Sequence, residues 1–165
     1  MGNKTLIYKQ KLVDNLKESN KHLYRLETAF FQIEKNHKFP LKKDDFSKII
    51  EDIQTLAYSD QIIYRFSKLQ DCMGAKLFKS ILLYQGENIN KPFLDILNEL
   101  EKIDIINVDE WFEIRDLRNE IAHDYEDKDN NALDIINSIY KLKDELSQSL
   151  KAIETKILKN NLGEN

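Results

Sequence analysis

Four polar side chains of different chemistry fall within eight residues near the middle of the second half of the chain: Arg118, Asn119, His123 and Tyr125. Arginine is permanently charged and presents a planar fork of donors that suits a phosphate whose charge is building up. Histidine changes protonation state near neutrality and suits proton transfer. Cleavage of RNA through its own 2′-OH needs those two abilities: a group that takes the 2′ proton, a group that protonates the leaving 5′-oxygen, and positive charge on the phosphorane. The stretch supplies a single suitable histidine, so base and acid would come from two copies of the chain.

The element that must position these groups precedes them. Winding residues 108–124 as a helix, at about 100° per residue, gathers Trp111, Ile114, Leu117, Ile121 and Ala122 into one arc, with Val108 and Phe112 on its margin. Glu113, Asp116 and Glu120 fall opposite. Arg118 lands in the middle of the apolar arc, Arg115 falls at its edge, and Tyr125 would lie beside Arg118 if the helix ran on. A charge on a burying face must be paired or functional, because an isolated buried charge is costly. A purely structural reading also accounts for the set. In it Arg118 pairs with a core carboxylate or carbonyl, His123 interacts with the dipole at the helix C-terminus, and Tyr125 packs.

The rest of the chain is written in helices. Four Gly and two Pro among 165 residues leave long segments without a breaker and point to a few long helices. Leu6, Val13, Leu16, Leu23, Phe30 and Ile33 make a near-heptad stripe over residues 5–36, with Pro40 ending the loop that follows. A second helical region spans residues 44–84, with Asp44 or Asp45 as its cap and Tyr58-Ser59-Asp60 as the place where it kinks or divides. Gln70 and Gly74 sit at the edge of its buried face, as a polar partner inside the bundle and a site of close helix crossing. Pro92 opens a short helix ending around residues 103–106, and Asn107 with Glu110 resembles a capping box for the helix of Trp111. A last helix over residues 132–159 carries Leu133, Ile136, Ile139, Tyr140, Leu146, Leu150, Ile153 and Ile157 on one stripe. The expected architecture is one all-α domain over residues 1–165, an up-and-down bundle of four main helices plus a short one.

Composition narrows the function classes. Cys72 is the one cysteine, which excludes an internal disulfide, and it reads as a small buried hydrophobe. No metal-ligand set is evident: Asp124, Glu126, Asp127 and Asp129 lack the EF-hand pattern. No cofactor motif is present. No apolar run approaches a membrane span and no secretory signal is visible, so a soluble cytoplasmic protein is expected. Net charge is −4, unevenly spread. Residues 1–43 carry ten Lys/Arg against four Asp/Glu, a balance of +6, and residues 44–165 carry fifteen against twenty-five, a balance of −10. The first helix therefore offers either a basic strip for nucleic acid or a solvated lysine face. His22 and His37 have no neighbouring chemistry in the sequence and read as structural or solvent-facing.

The run Arg118-Asn119-Glu120-Ile121-Ala122-His123-Asp124-Tyr125 resembles the R-x4-H-x-Y signature of HepT-type toxins in the HEPN superfamily. Asn119 fits the polar slot after the arginine, and the order of helices is similar over most of the chain. The resemblance implies a homodimeric, metal-independent endoribonuclease with its cleft at the dimer interface. It implies Arg118 and His123 as catalytic residues and Asn119 as auxiliary. It further implies that a nucleotidyltransferase antitoxin adenylylates Tyr125 and silences the nuclease. The long first and second helices make this chain larger than the compact members of that group. A second reading, from the net acidity and the acidic stretch after Tyr125, is a non-catalytic helical module that docks a nucleotidyltransferase. A third is a helical scaffold without nucleotide chemistry.

Overall fold

Unbroken runs of helix-forming residues with apolar side chains every three or four positions leave the chain little choice but long rods whose stripes pack together. The structure, a computed structural model, describes residues 2–124 and 129–159. Helix α1 spans Asn3–Glu34 and α2 spans Lys43–Glu51. Helix α3, Ile53–Cys72, continues through a π-helical turn at Met73–Leu77 into α4, Phe78–Tyr84, as one rod. The short α5 is Phe93–Lys102, α6 is Val108–Asp124, and α7 is Asp129–Ile153, extended by a second π-helical turn at Glu154–Lys159. The described residues form no strand, and the all-α bundle expected from the sequence is what they build. No helix among them is long and apolar enough to cross a membrane.

Helices α1 and α3 pack along their lengths, and they run antiparallel: Asn15 meets Ser80, Ser19 meets Cys72, and His22 meets Arg65. Helix α6 packs on α3 and α7, and α7 closes the bundle against α1. Phe30, Phe66, Phe78, Leu69, Met73 and Ile81 fill the centre, all essentially inaccessible. The loop after α1 is pinned to α7. Asn137 bonds both the N–H and the C=O of Leu41, at 2.8 and 3.0 Å, and Phe39 stacks on Tyr140 with ring centroids 4.3 Å apart.

Three local expectations are corrected. The second helical region does not divide at residues 58–60, where Ser59 is buried inside a continuous helix. It divides at Asp52, whose carboxylate accepts the N–H of Thr55 at 3.1 Å and so caps α3. In the stripe of α1, Leu16, Leu23, Phe30 and Ile33 are buried as expected, whereas Val13 is half-buried and Leu6 is 62% exposed. Among the described residues nothing covers Leu6 or Ile7, so a correct apolar period there meets no partner. On α6, Trp111, Ile114, Leu117 and Ile121 are buried, but Ala122 is exposed.

Candidate functional site

Helix α6 begins where Asn107 caps it, its side chain accepting the N–H of Glu110 at 3.0 Å, while Glu101 takes the N–H of Val108 at 2.7 Å. Glu110 does not complete the reciprocal box expected from the sequence; its carboxyl meets Glu145 of α7 instead. One face of α6 is then anchored by Trp111, which stands edge-on to Phe78 with centroids 4.6 Å apart. Trp111 also packs against Gly74, where a Cβ would come within 3.1 Å of its Cζ2. The close crossing expected at Gly74 is therefore present, and it sits inside the π-helical turn of Met73–Leu77. A π turn widens the helix by one residue and recurs at functional sites. Gln70, buried as the sequence suggested, lies beside the same glycine.

Two turns beyond Trp111, Arg118 reaches across to α3. Its Nε and Nη2 donate to Oδ1 and Oδ2 of Asp71, both at 3.0 Å, a side-on bidentate pair. The pair is only partly sheltered, with the Arg118 side chain 27% and that of Asp71 46% exposed. Arg118 is thus paired, as a charge on a burying face must be, but at the edge of the core rather than in its middle. Asp71 uses two of the five N–H donors of the guanidinium, and among the described residues no other group takes the rest.

Asn119 and His123 take a different direction. Both are exposed. Four residues apart on one helix, they lie on the same outward face, in the last two turns of α6. Arg118 and His123 are five residues apart and so point about 140° away from one another around the axis. The structure therefore brings Arg118 to Asp71 and Asn119 to the side of His123, but it does not converge Arg118 and His123 within one chain. Tyr125 and residues 126–128 lie outside the described residues, as do the side chains of Asp124 and Asp129.

The remaining side of α6 is acidic. An open cleft of about 600 Å³ between α6 and α7 is lined by Glu110, Glu113, Asp116 and Glu120 from α6 and by Glu145 and Lys141 from α7. The Glu110 carboxyl is pushed up to about 7 by its hydrogen bond to Glu145, by burial, and by the negative charges of Glu145 and Glu113. Such a cleft repels phosphate. Among the described residues no group of three or more His, Cys, Asp or Glu is arranged to hold a metal ion.

The other singled-out residues are structural. His22 is buried between α1 and α3, its Nδ1 3.0 Å from Arg65 Nη1. His37 pairs with Asp45 at 3.0 Å. Cys72 is buried and accepts the Ser19 hydroxyl at 3.2 Å, and burial pushes its thiol up, away from thiolate reactivity. Sequence reasoning passed over Asp71 and Glu145. Each is one carboxylate among many on a helix, and its partner is visible only once α3 or α7 is laid against α6.

No protein-family model, curated protein or solved structure matches this chain.

Proposed function

We propose that the chain is an RNA-cleaving protein of the HepT type in the HEPN superfamily, with Arg118 and His123 as its catalytic groups and Asn119 as auxiliary. The observation that carries the reading is the end of α6. There an arginine held in a fixed orientation by Asp71 is followed by an exposed carboxamide and imidazole on the outward face.

In the proposed reaction one His123 removes the 2′-OH proton, the 2′-oxygen attacks phosphorus, and the P–O5′ bond breaks. A protonated His123 from a second copy gives its proton to the leaving 5′-oxygen. The products are a 2′,3′-cyclic phosphate and a 5′-hydroxyl. Arg118, already oriented, meets the phosphorane charge without reorganising. The divergence of Arg118 and His123 in one chain supports a composite cleft, in which the arginine of one protomer works with the histidine of the other. Adenylylation of Tyr125 by a partner nucleotidyltransferase would add an anion that Arg118 can bind in place of the substrate phosphate.

Purified protein incubated with RNA in EDTA should yield fragments with cyclic phosphate ends, and His123→Ala should abolish them. Equal cleavage by wild type and variant would end the proposal. A second reading rests on the pairing of Arg118 with Asp71 and on the acidic cleft behind it: a non-catalytic module that docks a nucleotidyltransferase. Complex formation that survives Arg118→Ala and His123→Ala, without RNA cleavage, would select it.

A further inference from the structure

The seam between α1 and α3 carries a different chemistry. Helix α1 contributes Lys21, Tyr24 and Arg25 in little more than one turn, all exposed, the tyrosine 71% so. Helix α3 contributes Tyr64 and Lys68, both exposed, and Arg65, half-buried between them. The Tyr64 ring, 51% exposed, lies close to two cations, with Arg65 Cζ 5.1 Å and Lys68 Nζ 5.6 Å from its centroid. Arg65 also ties the helices together through His22 at 3.0 Å, so the two basic stretches belong to one face. Glu18, which α1 adds to the seam, is held by Lys76 at 3.5 Å.

Exposed aromatic rings are costly to leave in water, and clustered positive charges repel one another. A ligand that offsets both at once alternates flat apolar groups with negative charges. Single-stranded nucleic acid does so: its bases stack on tyrosine and its phosphates meet Lys and Arg. An acidic protein would satisfy the charges but leave the rings without stacking partners. The opposite charge of the α6–α7 cleft directs a polyanion away from that side of the bundle.

We infer that Lys21, Tyr24, Arg25, Tyr64, Arg65 and Lys68 form a binding surface for single-stranded nucleic acid. The surface does not depend on whether α6 cleaves RNA.

The test uses the full chain and fluorescein-labelled 2′-O-methyl RNA of about twelve nucleotides, which cannot undergo 2′-OH attack, read by fluorescence anisotropy. Binding should weaken steeply between about 50 and 200 mM salt. Arg25→Ala with Lys68→Ala should reduce the slope of log K against log salt by about 1.4, at about 0.7 per phosphate contact. Tyr64→Ala should weaken binding by about tenfold and leave that slope unchanged. Lys141→Ala with Lys151→Ala on α7 should bind as wild type. All the substituted positions are at the surface, and unchanged thermal melting confirms that each variant folds. The proposal is overturned by absence of binding at low salt, by equal affinity for a duplex of the same length, or by an equal loss when Lys141 and Lys151 of α7 are replaced. It is also overturned if Tyr24→Ala and Tyr64→Ala convert a dimer to a monomer without touching RNA affinity, which would assign the face to a second copy.

Discussion

Arg118 and Asp71, 47 residues apart in the chain, meet through two parallel hydrogen bonds of 3.0 Å that fix α6 against the C-terminal end of α3. The pair sits where α3 gives way to its π-helical turn. It joins a structural role, docking one helix on another, to a positional one, since a guanidinium gripped on one edge presents its remaining donors in a set direction.

Because both side chains retain solvent, the pair should contribute modestly to stability. A double-mutant cycle with Asp71→Ala and Arg118→Ala, followed by urea unfolding, should give a coupling of about 1 kcal/mol. A coupling near zero would mean the pair does not hold α6. For the RNA cleavage proposed above the effect should be larger. Arg118→Lys keeps the charge but loses the bidentate fork, and the cleavage rate should fall by about 10²-fold or more.

Gly74 yields a prediction opposite to helix propensity. Replacing an exposed helical glycine with alanine ordinarily stabilises by about 1 kcal/mol. At Gly74 the new methyl would stand 3.1 Å from Trp111 Cζ2. Trp111 is 2% exposed and braced against Phe78, so it has little room to retreat. Gly74→Ala should therefore lower stability, by about 1–3 kcal/mol. As Trp111 is the only tryptophan, its fluorescence should shift in the folded variant. A more stable protein with an unchanged spectrum would show that the contact can relax.

What the sequence made legible and what it hid follow from the range of the interactions. Helical periodicity is local, so the buried faces of α6 and α7 were readable, and so was the close crossing at Gly74. The division at Asp52 was hidden because Asp52 looks like any surface acid, whereas Tyr58-Ser59-Asp60 is more polar and drew the expected break. Ser59 is instead buried in a helix that runs on. Leu6 kept the period of its stripe but lies beyond the helices that cover the rest of α1. Asp71 was invisible for a stronger reason: its partner lies on another helix, and the π turn that follows it has no signature in residue type. Arg118, Asn119 and His123 were singled out by their chemistry and spacing alone. That two of them point away from the third emerges only when the helix is wound through all three.

Two of the perturbed groups, His22 between α1 and α3 and Glu110 between α6 and α7, make opposing demands on pH. His22 is held below the ordinary histidine value by burial, then by the charge of Arg65, against the pull of Glu18. The unfolded chain therefore binds this proton more readily than the folded one. The contribution of His22 is fully present above about pH 6.5 and is lost as pH falls through the lower folded value. Glu110 runs the other way, since its folded carboxyl is raised to about 7 from an ordinary value of 4.5. Between those values the fold holds a proton that the unfolded chain has released, so stability falls as pH rises across that window. Glu110→Gln keeps a hydrogen bond to Glu145 without the ionisable group. It should match wild type near pH 4.5 and become more stable than wild type above pH 7, as measured by urea midpoints across the range. His22→Gln, which can still accept from Arg65, should lose the acid sensitivity while leaving the decline towards pH 7 intact. If Glu110→Gln melts like wild type at every pH, the Glu110–Glu145 contact does not share a proton. The acidic cleft would then be a set of independent, solvated carboxylates.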